Sequence, residues 1–440
     1  MQERNRCLRC MLASKPKEEA MNRSAAASTA LSARCCIVGG GPAGMMLGLL
    51  LARAGVDTVV LEKHGDFLRD FRGDTIHPST LELMYELGLL DDFLKRPHNE
   101  LQQIEGQIGT ERVVIGDFSH LPTRCKFIAL MPQWEFLDFL AERARRYPSF
   151  RLEMDCEADD LIIADGRVAG VVATSPHGIL EFRADLVIGA DGRHSTVRQT
   201  AGLESTDLGA PIDVLWMRVP KDDGDAPQTL GRVDTGRILV MLDRCDYWQC
   251  AFVIRKGGYD EVRQRGLPAL RDEIARLAGL DRERLETMRD WSDIKLLTVA
   301  VDRLRRWHRP GLLCIGDAAH AMSPIGGVGI NLAIQDAVAA ANILVPPLRR
   351  GGEIDSAVLD QVQRRRELPT RIIQRMQLLI QDRVISRVLG STGPLKLPLA
   401  LRLLRRWPVL RRLPARLVGL GFRPEHVETP ELVAAPARPR

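Results

Sequence analysis

The chain has 440 residues, of which 45% are hydrophobic and 27% charged, and a formal net charge of +5. This length allows two or three domains with a large core, and the modest surplus of positive charge, concentrated near the C-terminus, argues against nucleic acid as the main partner. No run reaches the roughly eighteen apolar residues of a membrane-spanning helix, so we expect a soluble, cytoplasmic protein.

The nine cysteines suggest thiols of a reducing compartment without disulfides. Cys7 and Cys10 have CxxC spacing without a second pair or a histidine partner, so we expect no metal site.

The two ends of the chain differ in composition from the rest. Residues 1–33 mix Lys, Glu, Arg and Ser without an apolar leader segment, and residues 431–440 are rich in Ala and Pro. Such segments bury too little apolar surface to order, so both are predicted to be disordered tails. Met21 is an alternative start of the protein, and the sequence does not decide between the two.

The first predicted unit is strand, turn, helix, turn, strand. Its elements are a strand at Cys35–Val38, a helix at Met45–Ala54 and a second strand at Thr58–Leu61. Gly39, Gly41 and Gly44 have GxGxxG spacing, with Pro42 and Ala43 between them. In a dinucleotide-binding turn these glycines allow the turn, the close approach of a pyrophosphate and the packing of helix on strand, while the helix N-terminus attracts the phosphate.

Glu62 ends the second strand, where an acidic side chain accepts hydrogen bonds from an adenosine ribose. A carboxylate suits an unphosphorylated ribose, so FAD or NAD is predicted at this site rather than NADP. The turn alone does not distinguish FAD from NAD.

Two glycine–aspartate turns follow later in the chain. A buried strand at 186–188 runs into Gly189 and Asp191, and Ser195 is placed to cap a short helix. Another strand, at 312–315, meets Gly316 and Asp317 before a glycine-rich loop and a long apolar helix predicted to start near Asn331. Parallel sheets present ligand-binding groups at such strand ends.

With these three motifs in order, the sequence resembles the class A flavoprotein monooxygenases, the family of para-hydroxybenzoate hydroxylase and the ubiquinone-biosynthesis hydroxylases. The resemblance covers roughly Arg34 to Leu348. It implies FAD as cofactor and NADH or NADPH as transient donor, and the single GxGxxG agrees because no second dinucleotide domain is present. It also implies that O2 adds to the reduced flavin as a C4a-hydroperoxide, which hydroxylates an aromatic or similar hydrophobic small molecule.

The resemblance also assigns roles to individual residues. Asp317 would bond a ribityl hydroxyl, Pro324 and the backbone from Gly326 to Asn331 would border the flavin ring, Arg72 would reach the pyrophosphate, and Gln133 would contact FAD. The cofactor-binding residues predicted in this way are Gly39, Gly41, Pro42, Ala43, Gly44, Glu62, Arg72, Gln133, Asp191, Gly316, Asp317, Pro324, Gly329, Ile330 and Asn331. No catalytic side chain is predicted, since His77 and His320 are each interpreted as hydrogen-bonded structural histidines.

Residues 211–256 are predicted to form antiparallel strands with a turn at 244–246, which would roof a substrate pocket over the flavin. The candidate pocket walls are Trp216, Met217, Tyr247 and Trp248. Beyond Pro346 the pattern becomes helical, and its basic, leucine-rich part is predicted to form short helices packed on the FAD domain. Peripheral contact of that part with an anionic membrane remains the alternative.

The sequence therefore predicts an α/β fold: a three-layer Rossmann-type FAD-binding domain, an inserted antiparallel-sheet substrate domain and C-terminal helices. The predicted bounds are 34–105, 132–210 and 299–345 for the FAD-binding domain, 106–131 and 211–298 for the substrate domain, and 346–430 for the helical region. A reductase of the same fold, similar to prenyl-lipid reductases, and a flavin-binding protein without turnover remain alternatives. The absence of a Trp-x-Trp-x-Ile-Pro segment disfavours a halogenase. The sequence does not identify the substrate or the oligomeric state.

Overall fold

The structure is a computed structural model, and it describes residues 29–68, 75–222, 224–225, 230–244 and 246–432. Most of the two predicted tails lies outside these residues, as does Arg72. The prediction of a disordered tail is wrong for residues 29–33, which form the first half of β1 and pair with β11. The strands are β1 (Thr29–Val38), β2 (Thr58–Leu61), β3 (Thr75–Ile76), β4 (Asn99–Leu101), β5 (Gln103–Ile108), β6 (Glu111–Asp117), β7 (Ile128–Leu130), β8 (Phe150–Glu153), β9 (Glu157–Ala164), β10 (Arg167–Ser175), β11 (Gly178–Gly189), β12 (Ser205–Asp207), β13 (Ile212–Pro220), β14 (Leu230–Asp234), β15 (Arg237–Asp243), β16 (Tyr247–Arg255), β17 (Lys295–Leu297), β18 (Asp302–Leu304), β19 (His308–Arg309) and β20 (Leu312–Cys314).

The helices alternate with these strands and dominate the C-terminal part of the chain. They are α1 (Pro42–Arg53), α2 (Pro78–Glu86), α3 (Leu90–Phe93), α4 (Gln133–Ala144), α5 (Thr196–Thr200), α6 (Tyr259–Arg265), α7 (Leu267–Ala278), α8 (Gly329–Arg350), α9 (Ser356–Ile380), α10 (Ser386–Leu389), α11 (Leu399–Arg406) and α12 (Arg412–Gly419). Short 3-10 turns lie at Phe118–His120, Arg282–Thr287, Trp291–Asp293, Gly316–Ala318, Ile325–Gly327 and Pro408–Arg411, and a π-helical turn lies at Gln381–Ile385.

The first sheet is parallel at its centre, in the order β20-β11-β1-β2-β8. The residues of β1 from Cys35 to Val38 are all buried, as expected when layers cover both faces of a parallel sheet. Helices α4 and α8 both contact α1. The carboxyl ends of β1, β11 and β20 therefore lie side by side, and each of the three glycine motifs starts at one of them. This is the predicted Rossmann-type α/β architecture.

The second sheet has seven strands in the order β17-β13-β16-β15-β14-β5-β6, antiparallel except where β14 meets β5. Helices α6 and α7 cover one of its faces. The other face packs on a cluster that includes Val299, Val388 and Leu389. The predicted inserted antiparallel sheet is therefore present, and β5 and β6 from the earlier part of the chain complete it.

Helix α8 continues through Pro346 and Pro347 to Arg350, beyond the predicted domain boundary at 345. Within the described residues, one helical segment, Ile325–Arg350, is long and apolar enough to cross a membrane, but 83% of its most apolar part is buried inside the protein. We interpret it as a core helix. The division of the chain into domains stays a prediction.

Candidate cofactor and active site

The first motif forms a turn that only glycine fits at two of its three positions. Gly39 has a φ of 106°, and a Cβ there would overlap the Ala190 carbonyl of the second motif. A Cβ on Gly44 would overlap the Gly39 carbonyl, because α1 packs closely on the end of β1. Glycine at these two positions therefore allows the first helix, the first strand and the second motif to pack closely against one another.

Gly41 differs, because its φ of −73° suits any residue and a Cβ there would meet no heavy atom of the described residues within 4 Å. It is the N-cap of α1, and within the described chain no side chain caps this helix and no acidic residue lies in its first turn. Pro42 and Ala43 open the helix behind it. Open space in front of uncapped N–H groups is what a pyrophosphate requires, so this turn fits the cofactor.

Glu62 lies beside the same turn. One carboxylate oxygen accepts a hydrogen bond from the Gly40 N–H at 3.0 Å, and the other lies 2.6 Å from Nδ1 of His64. The side chain is mostly buried. The structure thus places the predicted ribose-binding carboxylate against the glycine turn, at the end of β2.

Asp191 of the second motif has an internal role. Its carboxylate accepts hydrogen bonds from Ser195 Oγ at 2.5 Å and from the Val197 N–H at 3.1 Å. Ser195 in turn accepts from the Arg198 N–H at 2.9 Å and caps α5, as predicted. Burial raises the pKa of Asp191, while the hydrogen bonds from Ser195 and the backbone oppose that rise. The carboxylate therefore fixes the loop that packs on Gly39.

The third motif closes onto the first two. A Cβ on Gly316, whose φ is 60°, would lie 3.1 Å from Cβ of Ala43 and 3.2 Å from Cβ of Ala333, so the turn fits between α1 and α8. Asp317 is one-third exposed and lies 3.7 Å from the guanidinium of Arg193 in the second motif. The structure thus brings together the turns predicted to bind one ligand.

A glycine loop follows, in which Pro324 precedes Gly326 and Gly327, both with φ between 60° and 80°. Thr75 Oγ1 donates to the Gly327 carbonyl at 2.9 Å. Helix α8 then begins at Gly329, two residues earlier than predicted, and among the described residues its N-terminus has neither a side-chain cap nor an acidic first turn. Backbone N–H groups there are available to a negatively charged ring edge.

Asn331 joins this helix to the β3–α2 region. Its Oδ1 accepts from the His77 N–H at 2.9 Å and from Thr80 Oγ1 at 2.7 Å, and its Nδ2 donates to the Thr75 carbonyl at 3.0 Å. The side-chain oxygen and nitrogen of Asn331 therefore both bond to protein groups. Its predicted contact with the flavin ring is left to its backbone.

Three buried glutamines of the α9 segment fix the backbone before the glycine loop, and we call them the glutamine ladder: Gln374, Gln377 and Gln381. Gln377 donates to the Ser323 and Ile325 carbonyls, both at 2.9 Å, and accepts from the Ser323 N–H at 3.2 Å. The sequence did not point to these residues. The signal it offered was a polar i, i+3, i+7 spacing inside an amphipathic helix.

Three predicted site residues remain. Gln133 is buried as the first residue of α4, behind Pro132 at the predicted helix start. Ile330 lies in the first turn of α8. Arg72 lies outside the described residues, so its predicted contact with the pyrophosphate is untested.

His320 belongs to a buried ionic cluster with Asp336 and Arg366. Its Nε2 lies 2.5 Å from Asp336, whose other oxygen accepts from Arg366 at 2.9 Å. Burial raises the pKa of Asp336, but the charges and hydrogen bonds of His320 and Arg366 outweigh it and keep that pKa below its ordinary value. His320 is thus buried and hydrogen-bonded, and its interpretation as a structural histidine stays a prediction.

His77 is buried as the N-cap of α2, and its Nδ1 lies 2.7 Å from the Val418 carbonyl. Burial lowers the pKa of His77 from 6.5 to about 4, against an opposing hydrogen bond to Val418. Between about pH 6.5 and pH 4, His77 is protonated in the unfolded chain but stays neutral in the native protein. Stability therefore falls as the pH falls through this window, by about 3 kcal/mol in total.

We expect His77→Gln to remove that loss. The free energy of unfolding should be measured in urea between pH 7 and pH 4 for the wild type and the variant, with the exposed His177→Gln as control. The wild type and the control should lose about 3 kcal/mol more than His77→Gln across this range. Parallel profiles for all three proteins would contradict the assignment.

The four candidate pocket walls divide between the two faces of the second sheet. Met217 and Trp248 point into the core beneath α6 and α7, so their prediction as pocket walls is wrong. Trp216 and Tyr247 lie on the opposite face, where the Arg218 guanidinium is 4.9 Å from the Tyr247 ring centre. Neighbouring residues of a strand face opposite ways, and the sequence did not reveal which face the helices cover.

Comparison with known proteins agrees with this geometry. A family described as FAD binding domain matches residues 32–376. The chain is 34% identical to 6-methylpretetramide 4-monooxygenase of Streptomyces rimosus over 391 residues, 87% of this chain and 91% of that protein. It is 25% identical to para-nitrophenol 4-monooxygenase of Pseudomonas sp. (strain WBC-3), over 75% of this chain and 82% of the relative.

Solved structures show the same fold. The crystal structure of p-nitrophenol 4-monooxygenase from Pseudomonas putida DLL-E4 superposes with a TM-score of 0.69 and 22% identity, covering 90% of this chain and all of the other. The predicted fold is therefore confirmed. The individual contacts predicted for the cofactor stay predictions.

Proposed function

The chain belongs to the class A FAD-dependent monooxygenases, and from this membership we propose that it uses NADH or NADPH and O2 to hydroxylate an aromatic or similar hydrophobic small molecule. One oxygen atom of O2 enters the product as a hydroxyl group, and the other leaves as water, formed with the hydride of NAD(P)H (two electrons and one proton) and one further proton. Bound FAD supplies the redox chemistry that links the electron donor to O2. The observation that carries the proposal is the packing of the three glycine turns against one another, together with the open space at the Cβ position of Gly41.

We assign the parts of the site as follows. The turn from Gly39 to Gly44 and Glu62 would hold the adenosine and pyrophosphate end of FAD. Asp317 would bond the ribityl chain, and Pro324 with the backbone of Gly329–Asn331 would border the ring. The N–H groups at the start of α8 would favour negative charge on the reduced ring, since the positive end of the helix dipole lies there.

The face of the second sheet that carries Trp216 and Tyr247 would roof the substrate. Aromatic side chains offer flat, apolar contact to an aromatic substrate and exclude water from the reaction. 6-Methylpretetramide, the compound named for the relative from Streptomyces rimosus, is the first candidate because that relative spans nearly the whole chain.

The direct test is oxidation of NADH and NADPH by the purified yellow protein, with phenols, heteroaromatics, quinone precursors and 6-methylpretetramide as candidate substrates. We expect at least one compound to stimulate oxidation about tenfold or more and to gain one ¹⁸O atom from ¹⁸O2. Hydrogen peroxide must be measured in parallel, because oxidation without hydroxylation releases it.

Two outcomes favour the alternatives. Product formation without O2 would favour a reductase of the same fold. Negligible bleaching of the bound flavin by either nucleotide, with every compound, would favour a flavin-binding protein without turnover.

We further propose a cytoplasmic location, since the most apolar helix is a core helix.

A further inference from the structure

The C-terminal helices expose an unusual combination of side chains between residues 396 and 416. We call this region the basic apolar surface. Its exposed apolar side chains are Leu399, Trp407, Val409 and Leu413, with exposed fractions of 71%, 52%, 59% and 68%. Its exposed basic side chains are Lys396, Arg402, Arg405, Arg406, Arg412 and Arg416. Large apolar groups exposed within one short segment indicate an interaction surface.

The charge of this region has one sign. Between Asp382 and Glu425 the sequence contains ten basic residues and no acidic one: Arg383, Arg387, Lys396, Arg402, Arg405, Arg406, Arg411, Arg412, Arg416 and Arg423. Arg405 pairs with Glu111 of β6, and Arg412 contacts His120. Among the described residues, no carboxylate pairs with Arg406 or Arg416. The surface therefore carries a strong positive potential.

The inner side of the same region is anchored beside the proposed cofactor site. Leu417 and Val418 pack with Met322 and Val328, which flank the glycine loop. Val418 also accepts the hydrogen bond from His77 described above. Correspondingly, Ala415 packs under Phe118. Helix α12 thus has a face packed on the protein, whereas α11 contacts β6 without any buried residue of its own. The helices pack on the second sheet as well as on the FAD-binding part.

We propose that the basic apolar surface binds a bilayer rich in anionic lipids, with its arginines at the lipid phosphates and Trp407, Leu399, Val409 and Leu413 in the headgroup region. Arginine with tryptophan and leucine is the composition of helices that lie in a membrane interface. The proposal adds a location to the proposed function, because a hydrophobic substrate dissolved in a membrane would then be close to the glycine loop.

Other occupants fit the surface less well. A second copy related by two-fold symmetry would place arginines opposite arginines, which repel. A nucleic acid would match the charge but would leave Leu399, Val409 and Leu413 exposed, because phosphates offer apolar side chains no contact. An anionic bilayer satisfies the charge and the apolar groups together.

The test uses the FAD-loaded protein without substrate or nicotinamide, sedimented with vesicles of phosphatidylcholine alone or with 30% phosphatidylglycerol (on the order of physiological anionic content). We expect binding to the anionic vesicles only, weakened by salt. The variant Arg406→Gln/Trp407→Ser/Leu413→Ser/Arg416→Gln changes exposed side chains and should bind at least about tenfold more weakly. The matched control Arg145→Gln/Arg146→Gln/Ile163→Ser/Ile179→Ser changes two exposed arginines and two exposed isoleucines elsewhere and should bind as the wild type does.

The proposal would be overturned by no binding to anionic vesicles, by equal binding of the wild type and the surface variant, or by loss of a dimer in the surface variant without vesicle binding in the wild type. Preferential binding of the wild type to an RNA oligonucleotide over anionic vesicles would do the same. Flavin absorbance of each variant checks that it is folded. Because sedimentation needs no turnover, failure here is separate from failure of the monooxygenase assay.

Discussion

Gly41→Val is expected to yield a folded protein that purifies without its yellow colour. A Cβ at position 41 meets no heavy atom of the described residues within 4 Å, so we expect the fold to accept valine there, with its side chain in the space in front of the N–H groups of α1. We expect affinity for FAD to fall by at least about a hundredfold, because a pyrophosphate must approach this backbone closely. Titration of the apoprotein with FAD, followed by flavin fluorescence, measures the change.

Two matched variants separate this effect from a general loss of structure. Gly44→Val places its side chain into the Gly39 carbonyl and should prevent folding. Gly393→Val, at another glycine with free space and an ordinary φ, should fold and keep FAD. If Gly41→Val binds FAD as tightly as Gly393→Val does, the proposed pyrophosphate site is wrong.

Arg366→Met is expected to lower the free energy of unfolding by about 3–5 kcal/mol. Arg366 is almost completely buried and bridges Asp336, at 2.9 Å, and Glu425, at 3.1 Å. Methionine fills a similar volume but removes the buried cation that the two carboxylates share, leaving Asp336 with His320 and Glu425 with the half-exposed Arg365. Denaturation in urea, with and without added FAD, measures the loss.

The neighbouring Arg365 provides the control, since it contacts the same Glu425 at 2.9 Å but is half exposed. Arg365→Met should cost less than about 1 kcal/mol, because water screens an exposed ion pair. Losses of similar size in both variants would show that burial of the cluster does not determine its contribution.

Local signals explain which parts of the fold were predictable. The strand Thr58–Leu61 has the predicted bounds, and Ser195 caps α5 as expected, because strand pattern and cap chemistry depend on adjacent residues. The glycine turns were predictable for the same reason. Their spacing follows from steric limits, since a Cβ at Gly39 or Gly44 would overlap a backbone carbonyl.

Long-range packing explains what the sequence did not reveal. Met217 and Trp248 were assigned to the pocket because aromatic and sulfur side chains suit it, yet α6 and α7 cover the face on which they lie. Helix α8 passes Pro346 and Pro347 because it is held by α1 and α9, which no local pattern shows. Likewise, the carboxylate of Asp191 is used inside the protein, at the N-terminus of α5.

The glutamine ladder has a consequence for how the site responds to its surroundings. A side-chain amide neither gains nor loses a proton over the range in which enzymes work, and it carries no net charge. The backbone at Ser323 and Ile325 is therefore held by groups whose hydrogen bonds stay the same in acid or alkali, and whatever charge a neighbouring ring takes up or releases. Carboxylates or histidines at the same three positions would couple the loop to every such change. Neutral amides keep its shape constant through the cycle.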